Sequence, residues 1–338
     1  MSAKYNNFIK NLVLIEKEYL KYFDKTDFDF RESLTGKIFN LVIKKGVVFK
    51  KTLNKLSIYF PHTSKISRDF LLSGKKVNDH IWEPQTHKLL KIICKNKKTF
   101  FFVGAFFGDH ACLIAKKFKK SVSYCFEPFP TSRKFLKKNK ILNNLKNIFI
   151  SNKALYKKKH QKLYIKNFEH DDGNISLSAK IKNNRKYFLT DTLDNFTKKR
   201  KIKNIDLLMI DVEGNELNIF LGATNLLKNE NIHNIIFEIH SKYVNWKKGL
   251  KNTSIIKILL RNNYRVFAIR DCHSNKNIRN KIELLDINNL YLEGPHHGFN
   301  LIATKNKSLL KNKNIFFSKK NFSPKYLFHK SSKKFHYI

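Results

Sequence analysis

The segment FFFVGAFFGDHA, residues 100–111, begins as a strand and continues as a helix after two glycines. Its unbroken apolar start is typical of a strand buried on both faces of a parallel sheet. Gly104 and Gly108 allow the backbone to bend sharply and a ligand to approach closely. The helix that follows directs its free amide groups and positive dipole end towards such a ligand. The candidate binding residues of this turn are Val103, Gly104, Ala105, Gly108 and His110.

Further apolar runs of strand length follow this segment, and helical patterns separate most of them. Together with 99–103, the predicted strands are 122–126, 148–150, 206–210, 235–239, 265–269 and 299–304. Strands that alternate with helices form a mostly parallel sheet with right-handed crossovers. We therefore predict an α/β fold with a mostly parallel seven-stranded sheet and helices on both faces.

The regions outside this alternation have a different character. Apolar residues at helical spacing are Phe8, Leu12, Ile15 and Tyr19 on one face, and Ile38, Leu41 and Val42 on another. We predict an N-terminal helical extension at 1–80, the main domain at 81–306 and a basic C-terminal tail at 307–338. Residues 160–190 interrupt the main domain and predict an inserted hairpin or loop.

The chain is strongly basic, with 68 Lys and Arg against 26 Asp and Glu and a net charge of +42. One interpretation is a polyanionic partner such as nucleic acid or an anionic membrane surface. The other is the lysine-rich composition that an AT-rich genome produces. The four cysteines have no metal-ligand spacing, and no apolar run approaches a signal peptide or a membrane span. These features predict a soluble or at most peripheral protein of the reducing cytoplasm.

The second predicted strand ends in CFEPFP, with Glu127 at its end. A carboxylate at this place accepts hydrogen bonds from the two ribose hydroxyls of a nucleoside. The separation of Glu127 from Gly104, 127 minus 104 or 23 residues, is close to the roughly 20 expected when one crossover helix intervenes. We therefore predict that Glu127 binds ribose.

The segment IDLLMIDVEGNELNIFLGA, residues 205–223, places two more carboxylates at the end of a buried strand. The strand ends in Asp211, Glu213 follows, and Gly214 turns the chain into a helix. Carboxylates at the carboxyl end of a central strand lie in the ligand crevice of an open α/β sheet. Asp211 and Glu213 are therefore candidate site residues.

Segment 205–223 resembles, nearly position for position, the hallmark strand and turn of FkbM-type methyltransferases. The other motifs follow in the same order: the glycine turn, FEP, NKAL at 152–155, TLDNF at 192–196 and IIFE at 235–238. The resemblance covers residues from about 82 to 306. It implies a Rossmann-like class I methyltransferase fold, S-adenosylmethionine as cofactor, and methyl transfer to a hydroxyl oxygen, commonly of a sugar or natural product. It also implies cofactor contacts at Pro128, Asn152, Ala154 and Asp211.

Two positions depart from the family pattern. Phe102 stands where the family usually has an Asp, and Phe106 where it has an Asn. Loss of the Asp removes a group that normally helps to position the amino acid end of the cofactor. A non-catalytic, cofactor-binding relative therefore remains an alternative.

Methyl transfer to an alcohol requires a base that takes the hydroxyl proton. Our predicted catalytic residues are Asp211, Glu213 and His240, and further candidates are Glu238, His273, His296 and His297. Asp211 and Glu213 are also suitable ligands for a divalent metal, but the sequence identifies no third ligand, so we assign no metal site and the metal requirement stays open.

Three functions remain open from the sequence. The resemblance favours a small-molecule or glycan acceptor, while the basic, aromatic residues of 307–338 keep an RNA acceptor open. The third is cofactor binding without catalysis. The oligomeric state is not indicated.

Overall fold

A nine-stranded, mostly parallel sheet forms the centre of the protein in the computed structural model. The structure describes residues 3–22, 30–43, 47–53, 56–61, 65–72, 83–166, 175–179, 187–271, 281–288, 292–293, 298–320, 322 and 336–337. Among these residues, no helix combines the length and the apolar character needed to cross a membrane.

Seventeen strands are present in the described part of the chain. In chain order they are β1 Val48–Leu53, β2 Leu56–Pro61, β3 Thr99–Val103, β4 Val122–Phe126, β5 Ile148–Ser151, β6 Ala154–Leu155, β7 Lys162–Ile165, β8 Leu177–Ser178, β9 Tyr187–Asp191, β10 Leu207–Ile210, β11 Asn234–His240, β12 Arg265–Ile269, β13 Ile282–Asp286, β14 Leu292–Glu293, β15 Gly298–Thr304, β16 Ile315–Phe317 and β17 His336–Tyr337. The large sheet has the order β16-β13-β12-β15-β11-β10-β3-β4-β5.

The predicted fold class is confirmed, and the seven predicted strands are neighbours in this sheet. Strands β5, β4, β3, β10 and β11 are parallel, and β15 runs antiparallel between β11 and β12. The sheet has nine strands where seven were predicted, because β13 and β16 extend the edge beyond β12. All carboxyl ends of the parallel strands meet at one edge, where a ligand crevice is expected.

Helices cover both faces of the sheet. They are α1 Ala3–Tyr22, α2 Gly36–Val42, α3 Lys65–Leu72, α4 Pro84–Ile93, α5 Asp109–Lys117, α6 Pro130–Leu142, α7 Leu193–Lys199, α8 Glu216–Leu221, α9 Thr224–Lys228, α10 Ser254–Arg261 and α11 Lys307–Leu310, with a π-helix at Arg31–Thr35 and a 3-10 helix at Leu250–Asn252. Side chains of β3 alternate between the two cores: Phe100 and Phe102 belong to one, and Phe101 and Val103 to the other. This double burial explains why β3 is apolar throughout.

The predicted N-terminal extension contains a β-hairpin as well as helices, because β1 and β2 pair antiparallel. The predicted helical face of Ile38, Leu41 and Val42 is wrong, since Leu41 is 86% exposed while Phe39 and Ile43 are buried. The hairpin packs on α6, where Asn139 Oδ1 accepts the Tyr59 N–H at 2.6 Å. Buried side chains of this region join the same core as β3, so the boundary at residue 80 stays a prediction.

Two other predicted regions are more ordered than their sequences indicate. The insertion forms a small four-stranded sheet in the order β6-β9-β7-β8. In the predicted tail, β16 pairs in parallel with β13, so residues up to Phe317 belong to the main sheet. The boundary at residue 306 therefore does not mark the end of that sheet.

Candidate functional site

A cleft opens at the carboxyl ends of β3, β4 and β10, with about 1110 Å³ of empty space that is partly open to solvent. The predicted site residues that line it are Val103, Gly104, Ala105, His110, Glu127, Pro128, Ala154, Asp211 and Glu213. The structure thus brings the glycine turn, the Glu127 carboxylate and Asp211 together around one cavity.

Gly104 places the turn directly against the end of β10. Its φ is +79°, and a Cβ atom there would lie 1.7 Å from the backbone oxygen of Asp211. The turn is fixed by backbone hydrogen bonds, since the Gly104 and Ala105 amides both donate to Phe126 O, at 3.0 and 3.1 Å. Only glycine fits this position, and the close approach is what lets the two strand ends share one cleft.

Glu127 is 3% exposed, and both of its carboxylate oxygens accept backbone hydrogen bonds. Phe106 N–H donates to Oε2 at 2.8 Å and Phe129 N–H donates to Oε1 at 2.9 Å. Burial raises the pKa of Glu127 to about 7, although these two amides act in the opposite direction. Each oxygen keeps a second lone pair, so the carboxylate can still accept hydrogen bonds from hydroxyl groups of a ligand.

The two family departures both border the cleft. Phe102 is 3% exposed and offers only apolar surface where the family has a carboxylate. Phe106 has a positive φ of 48°, and its amide is the one that fixes Glu127 Oε2. The backbone at 106 therefore retains a positioning role although its side chain is apolar.

His110 lies in the wall of the cleft beside two carboxylates. Its Nε2 is 3.5 Å from Glu83 Oε2 and 3.7 Å from Asp109 Oδ2. Burial alone would lower the pKa of His110, but Asp109, Glu83 and Asp211 outweigh it and raise the pKa to about 9. His110 is therefore an imidazolium at neutral pH, with a buried Nδ1 that has no hydrogen-bond partner among the described residues.

A carboxylate cluster lies at the ends of β10 and β11. One oxygen each from Asp211, Glu213 and Glu238 lies within 4.8 Å of the other two, which is the arrangement that a divalent cation uses. The Asp211 side chain is exposed to the open cleft, while Glu213 and Glu238 are half-buried. Desolvation by the surrounding walls and the neighbouring Glu213 carboxylate raise the pKa of Asp211 well above its ordinary value, and the pKa of Glu238 is raised for similar reasons.

Glu216 supports this cluster from the start of α8. It is 3% exposed, and its Oε1 accepts the amides of Val212 and Gly214, both at 3.2 Å. Burial raises the pKa of Glu216 to about 7. Tyr243 Oη lies 3.2 Å from Glu213 Oε2 and holds the second carboxylate of the cluster in place.

These buried acids predict how stability depends on pH. An acid whose pKa is raised on folding stabilises the fold fully below its unfolded pKa, near 4.5, and this contribution is lost as pH rises through about 7. The free energy of unfolding should therefore fall by about 1–3 kcal/mol between pH 5 and 7.5, relative to a Glu127→Gln/Glu216→Gln variant. Urea denaturation of both proteins at several pH values measures this difference. Parallel pH profiles for the two proteins would contradict the prediction.

Three predicted residues do not line the cleft. Gly108 lies behind it, where a Cβ atom would meet Leu136 Cδ1 at 2.5 Å. Asn152 borders a neighbouring groove. His240 ends β11, and its Nδ1 accepts the Lys242 amide at 3.0 Å. The candidate bases His273, His296 and His297 lie outside the described residues.

The sequence interpretation missed several residues of the site. Lys153 and Phe129 line the cleft directly beside predicted residues, and their places in NKAL and FEPFP were available as a signal. Asp109 also lines it, at the first position of the helix after the glycine turn. Glu83 reaches His110 only through the tertiary fold, and no local pattern indicates this contact.

Similar solved structures share little sequence with this chain. Aeropyrum pernix fibrillarin in complex with S-adenosyl-L-methionine has a TM-score of 0.34 and 12% identity, covering 78% of this chain and 85% of that chain. M. jannaschii TYW2 in complex with AdoMet has a TM-score of 0.34 and 11% identity, covering 78% and 87%. The precorrin-6y C5,15-methyltransferase of Geobacter metallireducens GS-15 has a TM-score of 0.34 and 9% identity, covering 65% and 88%. A search of curated protein sequences found no match.

A known protein family matches the part of the chain that contains the cleft. The family model described as the methyltransferase FkbM domain matches residues 103–266. This range begins at the last residue of β3 and ends within β12, so it contains the glycine turn, Glu127 and the carboxylate cluster. Residues 103–266 are a methyltransferase FkbM domain, and the chain that carries them is an S-adenosylmethionine-dependent methyltransferase.

Proposed function

We propose that this methyltransferase transfers its methyl group to a hydroxyl oxygen of a sugar, glycan or small natural product. The observation that carries the proposal is the carboxylate cluster of Asp211, Glu213 and Glu238, which meets the cofactor cleft at the ends of β10 and β11. A hydroxyl is a poor nucleophile until a base takes its proton, and this cluster offers such a base beside the cleft.

The residues of the cleft fit S-adenosylmethionine, which supplies an electrophilic methyl group on a sulfonium when it is bound. Glu127 is a buried carboxylate suited to the two ribose hydroxyls. Phe129, Leu163 and Leu177 offer an apolar wall for the adenine ring. The close approach at Gly104 leaves backbone, rather than side chain, beside the ligand.

His110 and Asp109 are suited to the amino acid end of the cofactor. Both line the cleft, and His110 is positively charged at neutral pH while Asp109 is an adjacent acid. We propose that the His110 imidazolium pairs with the cofactor carboxylate and that Asp109 accepts from its ammonium group. This pair would take over the task of the carboxylate that Phe102 replaces.

Asp211 is the favoured base. It reaches the open cleft, and its raised pKa brings it closer to neutrality, where a general base is most effective. Desolvation is the largest cause of this raised pKa, and like-charge repulsion from Glu213 comes next. His240 is less suitable, since its Nδ1 is engaged by a backbone amide and the residue is not part of the cleft lining.

We also propose that the protein works in the cytoplasm. Cys94, Cys112 and Cys125 are free and buried, as expected in a reducing compartment.

The proposal is tested by binding and by methyl transfer. Calorimetric titration with S-adenosylmethionine should show one site, and radiolabelled cofactor should label an acceptor among glycans, small alcohols and RNA. Labelling of a sugar or small-molecule hydroxyl supports the proposal. Exclusive labelling of RNA overturns the acceptor class, and cofactor binding without any transfer indicates a non-catalytic protein.

We expect the Glu127→Gln variant to bind S-adenosylmethionine about 1.5–3 kcal/mol more weakly than the wild type. The amide keeps the size of the side chain but loses the charge that strengthens hydrogen bonds to the ribose hydroxyls. Calorimetric titration measures the change, with exposed Glu230→Gln as the control for loss of one charge. Equal affinities of the two variants would remove Glu127 from the binding site.

A further inference from the structure

A second groove crosses the edge of the sheet formed by β5, with about 1290 Å³ of empty space. Strand β4, helices α6 and α7 and the loop after β5 contribute its walls. The aromatic and basic side chains of this groove take no part in the interactions proposed above for cofactor binding or proton abstraction. The groove meets the cofactor cleft along one border.

Aromatic rings form the floor of this groove. Phe149 is 50% exposed, and its ring lies 5.5 Å from that of Tyr124 at an interplanar angle of 23°. The Phe196 ring packs edge-on against the Tyr124 ring, with the two ring centroids 5.8 Å apart. An exposed flat ring held by other aromatics is a surface on which an unpaired base can stack.

Five cations surround these rings, namely Arg133, Lys137, Lys153, Lys199 and Arg200. The one acid in the lining is Asp191, whose Oδ1 already accepts from Thr192 N and Asn195 Nδ2 at 2.8 and 2.6 Å. Within the described part of the chain, none of the five cations belongs to an ion pair. The groove therefore carries a net charge of five minus one, or +4, that its own side chains do not neutralise.

The groove is continuous with the cofactor cleft. Phe126 and Lys153 line both cavities, and Arg133 Nη1 donates to the backbone oxygens of Glu127 and Pro128 at 2.8 and 2.6 Å. A chain-like ligand in the groove would therefore pass directly beside the ribose-binding carboxylate.

We propose that this groove binds single-stranded nucleic acid, with a base stacked on Phe149 and phosphates paired with the surrounding Lys and Arg side chains. Stacking requires unpaired bases, which favours a single strand over a duplex. It also requires π-faces, which acidic polysaccharides and lipid headgroups do not have. The proposal goes beyond methyl transfer and does not depend on the identity of the acceptor.

The test is binding of a fluorescent single-stranded oligonucleotide by the full chain, measured by anisotropy across a salt series. Phe149→Leu removes the flat ring and should weaken binding about 10-fold. The matched control is Phe316→Leu, because Phe316 is an exposed aromatic on β16 at the opposite edge of the sheet. The control should bind as the wild type does.

A second pair of variants tests the cations. Lys137→Gln/Lys199→Gln removes two exposed charges of the groove, and Lys251→Gln/Lys257→Gln removes two exposed charges elsewhere. The slope of log K against log salt should become less steep by about 1.4 in the groove variant and change little in the control, as expected for two phosphate contacts to a single strand.

Several results would overturn the proposal. These are equal losses in the groove and control variants, unchanged binding by Phe149→Leu, and tighter binding of a duplex of the same length. Full displacement of the oligonucleotide by anionic phosphatidylserine vesicles, with no loss in Phe149→Leu, would instead assign the charge to a membrane surface. Each readout is independent of methyl transfer, so the proposed function can fail while this proposal stands.

Discussion

The Gly104→Ala variant is expected to lose about 2–5 kcal/mol of unfolding free energy and all measurable cofactor binding. Two costs add at this position. An L side chain at φ +79° is strained by roughly 1–2 kcal/mol. The new Cβ would also lie 1.7 Å from Asp211 O, so β3 and β10 must separate, which costs about 1–3 kcal/mol as overpacking.

Urea denaturation and calorimetric titration measure the two losses. Gly249→Ala is the matched control, because Gly249 has a φ of +89° but its added Cβ would have no neighbour closer than 3.8 Å. The control should show only the backbone strain and normal cofactor binding. Equal stability losses in the two variants would mean that the approach of the turn to Asp211 has no energetic importance.

The Asp211→Asn variant is expected to fold normally and to lose methyl transfer by about 10²–10⁴-fold, the usual contribution of a general base. Asn has nearly the same size as Asp but cannot take the hydroxyl proton. Its neutrality also relieves repulsion with Glu213 and Glu238, so the free energy of unfolding should not decrease.

Initial rates at saturating cofactor, on the acceptor identified by labelling, measure this effect. His240→Asn is the comparison, since His240 was predicted as a base from its place at the end of β11. It should retain most of its activity. Full activity of Asp211→Asn, or a larger loss in His240→Asn, would transfer the role of base away from Asp211.

The central strands were predictable because each is buried on both faces. In β3, the four residues from Phe100 to Val103 are buried between two cores, which leaves a continuous apolar run. The strands β10, β11, β12 and β15 are also mostly buried, and together with β4 they were found within a few residues of their ends. Their order along the chain then predicted the parallel sheet.

The peripheral strands were not predictable by this rule. In strand β1, Phe49 is buried while Val48, Lys50 and Thr52 are exposed, so the strand lacks a continuous apolar run. Strand β16 has only three residues, two of them exposed. Such strands are fixed by the edge that they pair with, and this information is not local in the sequence.

The sequence indicated those residues of the candidate site that lie at the ends of strands. Gly104, Glu127 and Asp211 lie at strand ends, where the parallel topology alone brings them together. Glu83 lies before α4, and its approach to His110 depends on how α4 and α5 pack. Likewise, Glu238 was only one candidate among several until the pairing of β10 with β11 placed it beside Asp211.

The pairing of β16 with β13 has a consequence for how this enzyme can be divided. Strand β16 lies well beyond residue 266, where the FkbM match ends, yet it covers one border of the catalytic sheet. A fragment trimmed to the match would lose the interior strand β15 and nearly all of β3 as well as the strands β13 and β16. Its remaining strands would expose unpaired backbone amides and carbonyls, a template for strand exchange and self-association between copies. The segment of the chain that is needed for a complete sheet is therefore longer than the segment that matches the family.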